Sequence, residues 1–303
     1  MAISDEIMQH LHCPGCSNNL MKIGNSLICK NSECKLEFPI VNNIPIIIYE
    51  ENSVFNIKDF AENKNTTFSP KKNILKEFLS ALIPTISKNI KAQVNYKKFS
   101  EQLISFSSNP KVLVIGGSIL GQGMESLLSY SSISLIESDV SFGPRTQIIF
   151  DAHNIPFPNE FFDGVIIQAV LEHVIDPYKC VQEIHRVLKR NGLVYAETPF
   201  IQQVHMGKYD FHRFTHLGHR LLFRNFSEIE SGAVCGPGMA LAWAYCYFFY
   251  SFFKSERIRK YLNIIVHFTS FYLKYFDYYL INSSWPPRSK KFKSSEKIKD
   301  LLN

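Results

Sequence analysis

Four of the seven cysteines crowd into the first 34 residues, as Cys13-Pro14-Gly15-Cys16 and, after a 12-residue gap, Cys29 and Cys34. Two thiolate pairs at such spacing can close a tetrahedron around Zn2+. No coordination position would stay open, so the metal would be structural and any catalysis lies elsewhere. His12 abuts the first pair and is a competing ligand. A second chemical feature is Val112-Leu113-Val114-Ile115-Gly116-Gly117-Ser118, an apolar run into a glycine turn that lets backbone approach a ligand closely. Turns of this kind serve dinucleotides and phosphate-free nucleosides alike. Ser118 stands where G-x-G-x-x-G carries its second glycine beneath a pyrophosphate, which favours a cofactor without phosphate. Asp139, 23 positions past Gly116, ends the next apolar run, where a carboxylate can accept hydrogen bonds from both ribose hydroxyls; Glu137 is the competing acid. A third feature is "ETPFIQQVHMGKYDFHRFTHLGHRLLF", which packs His205, Tyr209, Asp210, His212, Arg213, His216 and His219 into 15 residues. A histidine with an ordinary pKa of about 6.5 suits proton removal near neutrality. His205, Tyr209, Asp210 and His212 are therefore the candidates for catalytic contact. The competing reading is that Thr215 caps a helix and these residues bond one another. Zinc at His212, His216 and His219 is disfavoured by the interleaved Arg and Phe. Glu172 and His173, in "QAVLEHV", read as a helix start and packing feature or as a catalytic pair.

These residues need elements to hold them. The first 50 residues read as a short β-rich module with Gly-Asn and Asn-Asn turns. A module of that size has little core of its own, so metal binding would contribute folding free energy directly. A polar, Asn- and Lys-rich stretch over 50–72 reads as a linker. Ile74, Phe78 and Leu82, then Phe99, Leu103 and Phe106, show helical spacing. From Lys111 strand and helix signals alternate: strands Lys111–Ile115, Ile133–Ser138, Gln147–Phe150, Gly164–Gln168 and Leu193–Glu197, with helices Gly121–Tyr130 and Pro177–Lys189. This predicts an α/β, Rossmann-like doubly wound, mostly parallel sheet, whose ligands bind beyond the carboxyl ends of the strands. The expected organisation is 1–50 zinc ribbon, 51–109 linker and bracing helices, 110–232 catalytic domain and 233–303 aromatic helical region.

The stretch from Val112 to Pro199, with "DAHNIPF", "FFDGVIIQAVLEHVIDP" and "EIHRVLKRNGLVYAETP" in order, resembles the type 11 domain of the class I S-adenosylmethionine-dependent methyltransferases. The resemblance implies that Gly116, Gly117 and Ser118 approach the methionine part of the cofactor and that Asp139 holds the ribose. It implies that Asp151 with Ala152 flanks the adenine amino group and that Gln168 lies at the pocket edge. Such domains commonly carry an acidic residue two positions before the first glycine, and here that position is Val114. The segment "FPIVNNIPIII" resembles the ribbon of small methyltransferase-activator proteins. The "YDFHRFT" loop is similar to that of methyltransferases found with bacterial surface-glycan genes, which implies a saccharide-like hydroxyl or amine acceptor.

The totals fit this picture. A 46% apolar content with 25 Phe and 14 Tyr can fill a sizeable core, and 20% charged residues is ordinary for a soluble protein. The net charge of +6 is scattered apart from Arg288, Lys290, Lys291 and Lys293, a solvated run, so no nucleic-acid partner is expected. Met1 to His10 is polar and acidic, unlike a cleavable leader, so a reducing cytoplasm is expected, where paired thiols are metal ligands. Ala233 to Phe253 carries no charge, but Pro237 breaks it. The 15 or so residues left reach roughly 22 Å against a bilayer core of about 30 Å. No transmembrane span is expected; peripheral membrane contact through Phe248, Phe249, Phe252 and Phe253 stays open. The expected function is methyl transfer from S-adenosylmethionine to a small molecule, beside a structural zinc. The competing classes are a non-catalytic binding or activator protein, kept open by Val114, and an NAD-dependent oxidoreductase or epimerase.

Overall fold

The computed structural model describes residues 3–62, 82–205 and 207–281. These fall into two compact units, one containing the described residues up to 62 together with 91–232, the other 82–90 with 233–281. The basic run at Arg288, Lys290, Lys291 and Lys293 lies outside the described residues, as do Ile74 and Phe78.

The first unit is built on a nine-stranded sheet in the order β1-β2-β3-β4-β7-β6-β5-β8-β9. Strands β1 (Leu20–Ile23), β2 (Ser26–Cys29), β3 (Glu37–Val41) and β4 (Ile44–Ile47) form an antiparallel meander. Its last hairpin turns on Asn42 and Asn43, both with positive φ (53° and 62°), the backbone that a two-residue turn between right-twisted strands requires. The meander does not stand apart as a separate module. β4 pairs in parallel with β7 (Ile148–Phe150), Ile46 opposite Ile149 and Ile47 opposite Phe150. Leu11, Leu27 and Phe38 share one apolar core with Ile148, Phe150 and Phe157. The 50 residues therefore borrow the core they lack.

β5 (Lys111–Ile115), β6 (Ser134–Asp139), β7, β8 (Phe162–Gln168) and β9 (Leu188–Glu197) are all parallel, the mostly parallel sheet that the alternating signals imply. Side chains alternate faces along β5. Val112 and Val114 pack with Tyr96, Phe99 and Leu103 of the helix Ala92–Phe106, whereas Leu113 and Ile115 share a core with Val181 and Ile184 of the helix Pro177–Val187. The latter helix starts sharply: Pro177 needs no N–H partner at its position, and Asp176 accepts a 3.0 Å hydrogen bond from the Lys179 N–H.

Two elements differ from the sequence expectation. The helix expected over Gly121–Tyr130 is one turn, Glu125–Leu128. Gly123 has φ +89°, and a Cβ there would stand 2.7 Å from the Ala92 backbone, so the chain is pressed against the neighbouring helix and cannot wind through. The fifth strand of the parallel set begins at Leu188, not Leu193, with a bulge that takes the register from Phe162↔Leu188 to Gly164↔Leu193. Among the described residues β9 ends the sheet, and no closing hairpin follows it.

The second unit holds three helices, Pro237–Ser251, Glu256–Ser270 and Leu273–Leu280. Ile86, Ala242, Cys246 and Val266 form its core. Asp277, fully buried, accepts the Gly238 and Met239 N–H groups at 2.7 and 2.9 Å, capping the first helix from the third. Among the described residues no helix is long and apolar enough to cross a membrane.

Candidate active site at the carboxyl ends of the strands

Gly116 follows β5 with φ +79°, and a Cβ there would lie 2.4 Å from Val170 Cγ2, so only glycine fits. The Gly117 N–H donates to the Ser138 carbonyl at 2.8 Å, and the Ser118 N–H donates to Asp139 Oδ2 at 3.1 Å. The turn and the acid at the end of β6 are thus brought together. Burial pushes the Asp139 carboxyl up, offset in part by the N–H groups of Ser118, Val140 and Ser141. The loop after β6 folds onto the turn: a Cβ on Gly143 would sit 2.5 Å from Ser118, and the Arg145 N–H donates to the Ser118 carbonyl at 3.2 Å. Glu137, the competing acid, is 3% exposed and committed to Arg145 Nε at 2.6 Å. Val114 points into the apolar core, so that position offers a ligand no polar side chain.

Asp151 follows β7, but its oxygens are already engaged. Oδ2 accepts from Ser53 Oγ at 2.5 Å; Oδ1 meets the His153 N–H and Nδ1 at 3.0 and 2.5 Å. His153 Nε2 in turn accepts the Asp176 N–H at 3.1 Å. Burial pushes the Asp151 carboxyl up, yet the hydrogen bonds and charge of His153 and the Ser53 hydroxyl hold it below its ordinary range. Ala152 beside it is buried. Gln168 ends β8 in a network that sequence reading did not find: Oε1 accepts from Tyr96 Oη at 3.2 Å, Nε2 donates to Glu197 Oε2 at 2.7 Å, and Tyr195 Oη also donates to Glu197. A Cβ on Gly121 would overlap Gln168 Oε1, which places this side chain against the start of the turn segment.

Beyond β8 the backbone is strained at Ala169, φ +54°, a conformation that costs an alanine about 1–2 kcal/mol. Its N–H is held by the Glu197 carbonyl at 2.9 Å. Glu172 follows, wholly buried, with neither carboxylate oxygen hydrogen-bonded. Burial raises its pKa to about 7. The Glu172 carbonyl accepts the N–H groups of Phe211 and His212 at 2.8 and 3.0 Å, which ties the histidine-rich segment to this point. His173 Nδ1 lies 2.6 Å from the Tyr209 carbonyl, and the His173 and His205 rings meet edge-on at 4.8 Å between centroids. Asp210, whose side chain is 1% exposed, takes a two-pronged bond from Arg213 (2.5 and 2.8 Å) and accepts the His205 N–H at 2.9 Å. That pairing holds its carboxyl down at about 2, far below the range of a base at neutral pH.

Of the four acceptor-side candidates, then, His205 and Asp210 gather near Glu172 and His173. The Tyr209 ring instead packs near Phe55, 5.4 Å between centroids, and His212 points Nε2 at the Ile175 carbonyl with its ring stacked on Phe214. Thr215 does cap a helix, accepting the Gly218 N–H at 3.1 Å at the start of His216–Leu222. His216 turns to Ser231, and His219 is packed among aromatic rings.

The four N-terminal cysteines converge. Cys13 and Cys34 Sγ are 3.6 Å apart, Cys16 and Cys29 Sγ are 3.3 Å apart, and all four lie within 4.8 Å of one another. Sulfurs about 2.3 Å from a common tetrahedral ion stand about 3.8 Å apart, so the cradle is nearly of metal size. No disulfide joins them. His12 is outside the cluster. Burial pushes the Cys16 thiol up, but hydrogen bonds from Asn18 and Cys29 bring it down to about 6.

Residues 129–196 match the family model described as a methyltransferase domain, a span that starts just beyond the glycine turn. Over 44 residues the chain is 43% identical to a ubiquinone/menaquinone biosynthesis C-methyltransferase of Coxiella burnetii, covering 14% of this chain. The match spans 18% of that protein's length. Among solved structures the chain is similar to a putative sarcosine dimethylglycine methyltransferase from Galdieria sulphuraria (13% identity, 69% of this chain and 88% of the other, TM-score 0.40). It is also similar to the complex between the Haloferax volcanii Trm112 methyltransferase activator and a putative methyltransferase (19% identity, 47% and 75%, TM-score 0.33). The family match lies on the segment that runs from the end of the helical turn before β6 to the last residues of β9.

Proposed function

We propose that the protein transfers a methyl group from S-adenosylmethionine to a small-molecule acceptor, a hydroxyl or amine of a saccharide-like compound. The observation that carries the reading is the glycine turn. Just ahead of the segment that matches a methyltransferase domain, the positive-φ Gly116 sets a turn whose Ser118 N–H reaches Asp139, the acid that would take the ribose. S-adenosylmethionine supplies an electrophilic sulfonium methyl when bound.

The chain's residues then have positional work. Gly116, Gly117 and Ser118 present backbone to the methionine part, and Asp139 orients the ribose. With the Asp151 oxygens taken by Ser53 and His153, the adenine side falls to Ala152 and the backbone of its turn, with Gln168 held at the rim by Tyr96 and Glu197. Methyl transfer is an in-line displacement, so holding the acceptor and removing its proton is what remains for protein groups. Of the candidates, His205 would stand on the acceptor side, since Asp210 is locked to Arg213. The four cysteines hold structural zinc, and the exposed Phe248, Phe252 and Phe253 give peripheral membrane contact.

Calorimetry of the zinc-loaded protein with S-adenosylhomocysteine and, separately, NAD tests the cofactor. Binding of the first and not the second supports methyl transfer; binding of NAD alone, or of neither, defeats it. A panel of cell-envelope sugar precursors, read by mass spectrometry for one added methylene, tests the acceptor. A carbon acceptor, the second reading raised by the C-methyltransferase segment, would give a methyl that NMR maps to carbon and not to oxygen or nitrogen.

A further inference from the structure

We propose that Glu172, His173 and His205 form a second metal site, one that takes a divalent first-row transition cation. Their ligand atoms all lie within 4.8 Å of one another, and Glu172 Oε1 is 3.7 Å from His173 Nε2. The argument turns on hydrogens. The Tyr209 carbonyl can only accept, so the 2.6 Å contact requires His173 to carry its proton on Nδ1. In neutral imidazole that leaves Nε2 as a bare lone pair, and it faces a carboxylate oxygen that has no hydrogen bond of its own. Two acceptors then face each other inside the protein, an arrangement that is costly unless a proton or a cation lies between them, and the 3.7 Å separation is long for a shared proton. A cation at that point turns both lone pairs into bonds.

The surroundings are built as a ligand shell is built. Donation of the other ring N–H to a backbone carbonyl is the usual support of a metal-bound histidine, fixing tautomer and orientation. The Glu172 carbonyl pins the 211–212 backbone, and Asp210 with Arg213 fixes the segment that carries His205 through the His205 N–H and the Gln202 and Gln203 carbonyls. Arg213 would oppose a cation, but its charge is matched by the two-pronged bond to Asp210. One carboxylate and two imidazoles suit a first-row transition ion, and three protein ligands leave positions open. His205 is exposed, so those positions face outward, where an acceptor oxygen can enter. The site also lies at the reacting end of the sheet, since Val170, two residues before Glu172, packs on Gly116. Its role, which rests on the methyl-transfer reading, is to hold the acceptor's oxygen and make its proton easier to lose to solvent.

Cobalt distinguishes this site from the cysteine cradle. In full-length protein already loaded with zinc, Co2+ should bind at one equivalent by calorimetry, with weak visible d–d bands and without thiolate charge-transfer bands. Glu172→Gln and His205→Ala should each weaken that binding by at least the roughly ten- to a hundred-fold that loss of an outer-shell partner of a metal ligand costs. His205 is on the surface, so its variant tests the site even if the buried substitution fails to fold. Wild-type protein without Co2+ uptake beyond the zinc site, or uptake unchanged in both variants, overturns the proposal. S-adenosylhomocysteine binding is read on the same samples: its retention without Co2+ uptake removes the metal site alone, and its absence with Co2+ uptake removes the methyl-transfer reading and leaves the site.

Discussion

Gly116→Ala tests whether the glycine turn is as constrained as its geometry indicates. Two costs add. The new Cβ meets Val170 Cγ2 at 2.4 Å, more than an ångström inside the roughly 3.5–4.0 Å of a relaxed carbon contact. Valine is stiff about χ1 and cannot swing aside, so overpacking of about 1–3 kcal/mol follows. The backbone at φ +79° adds about 1–2 kcal/mol for any residue with a Cβ. The total is roughly 2–5 kcal/mol, a large share of an ordinary stability. Only the first part depends on Val170. In the Val170→Ala background the same substitution should cost just the backbone share, giving a coupling of about 1–3 kcal/mol in a double-mutant cycle. Urea unfolding followed by far-UV circular dichroism measures it, with slopes compared to confirm that the midpoints report stability. S-adenosylhomocysteine affinity should fall with Gly116→Ala in both backgrounds, since the cycle relieves the clash but not the lost approach of ligand to backbone. A Gly116→Ala protein within about 0.5 kcal/mol of wild type, or a cost that does not change when Val170 is trimmed, would refute the steric argument.

Three further outcomes are expected. The Asp151 carboxyl is held below its ordinary value of 3.8, so its contribution is present above that pH and drains away as acid takes the folded protein below it; Asp151→Asn should remove about 1–3 kcal/mol at neutral pH and flatten the acid limb of a stability–pH curve, and a limb as steep as wild type would show that other carboxyls dominate. Chelation, or Cys29→Ser, should release zinc and weaken S-adenosylhomocysteine binding together, because β4 ends beside β7 and Ser53 reaches Asp151; zinc loss measured by atomic absorption with unchanged cofactor affinity would uncouple the two. Phe248 and Phe252 are 58% and 65% exposed, and replacing both by Asp should abolish sedimentation with anionic vesicles, an idea that fails if wild-type protein does not sediment either.

Periodicity and turn chemistry carried much of the fold. The five parallel strands announce themselves as short apolar runs, and Lys111–Ile115 is placed to the residue because a glycine turn follows it. What periodicity cannot see is pairing between distant segments. Nothing in "IPIII" says that Ile46 will lie opposite Ile149, and nothing near Gly123 says that Ala92 will press upon it and stop a helix. The nearness of the glycine turn to Asp139 was readable because one spacing controls both. The resemblance put Asp151 beside an adenine; that Ser53, 98 positions away, takes one of its oxygens is visible only in three dimensions. Glu172 and His173 were visible as a pair, but their meaning depends on His205 and on a carbonyl at Tyr209, brought there by a loop that sequence cannot fold. Tyr96 and Tyr195 gave no signal beyond that of core aromatics, and their hydroxyls matter only because Gln168 and Glu197 arrive beside them.

The parallel pairing of β4 with β7 has a consequence for how the chain can be trimmed. Were the leading residues up to 49 removed, Ile148, Ile149 and Phe150 would present a bare row of amides and carbonyls along an apolar strand, the kind of margin along which separate molecules stick together. Shortened versions of this protein should therefore be lost to precipitation before any fault in their chemistry can be seen, and solubility is the first property that the four-cysteine segment protects.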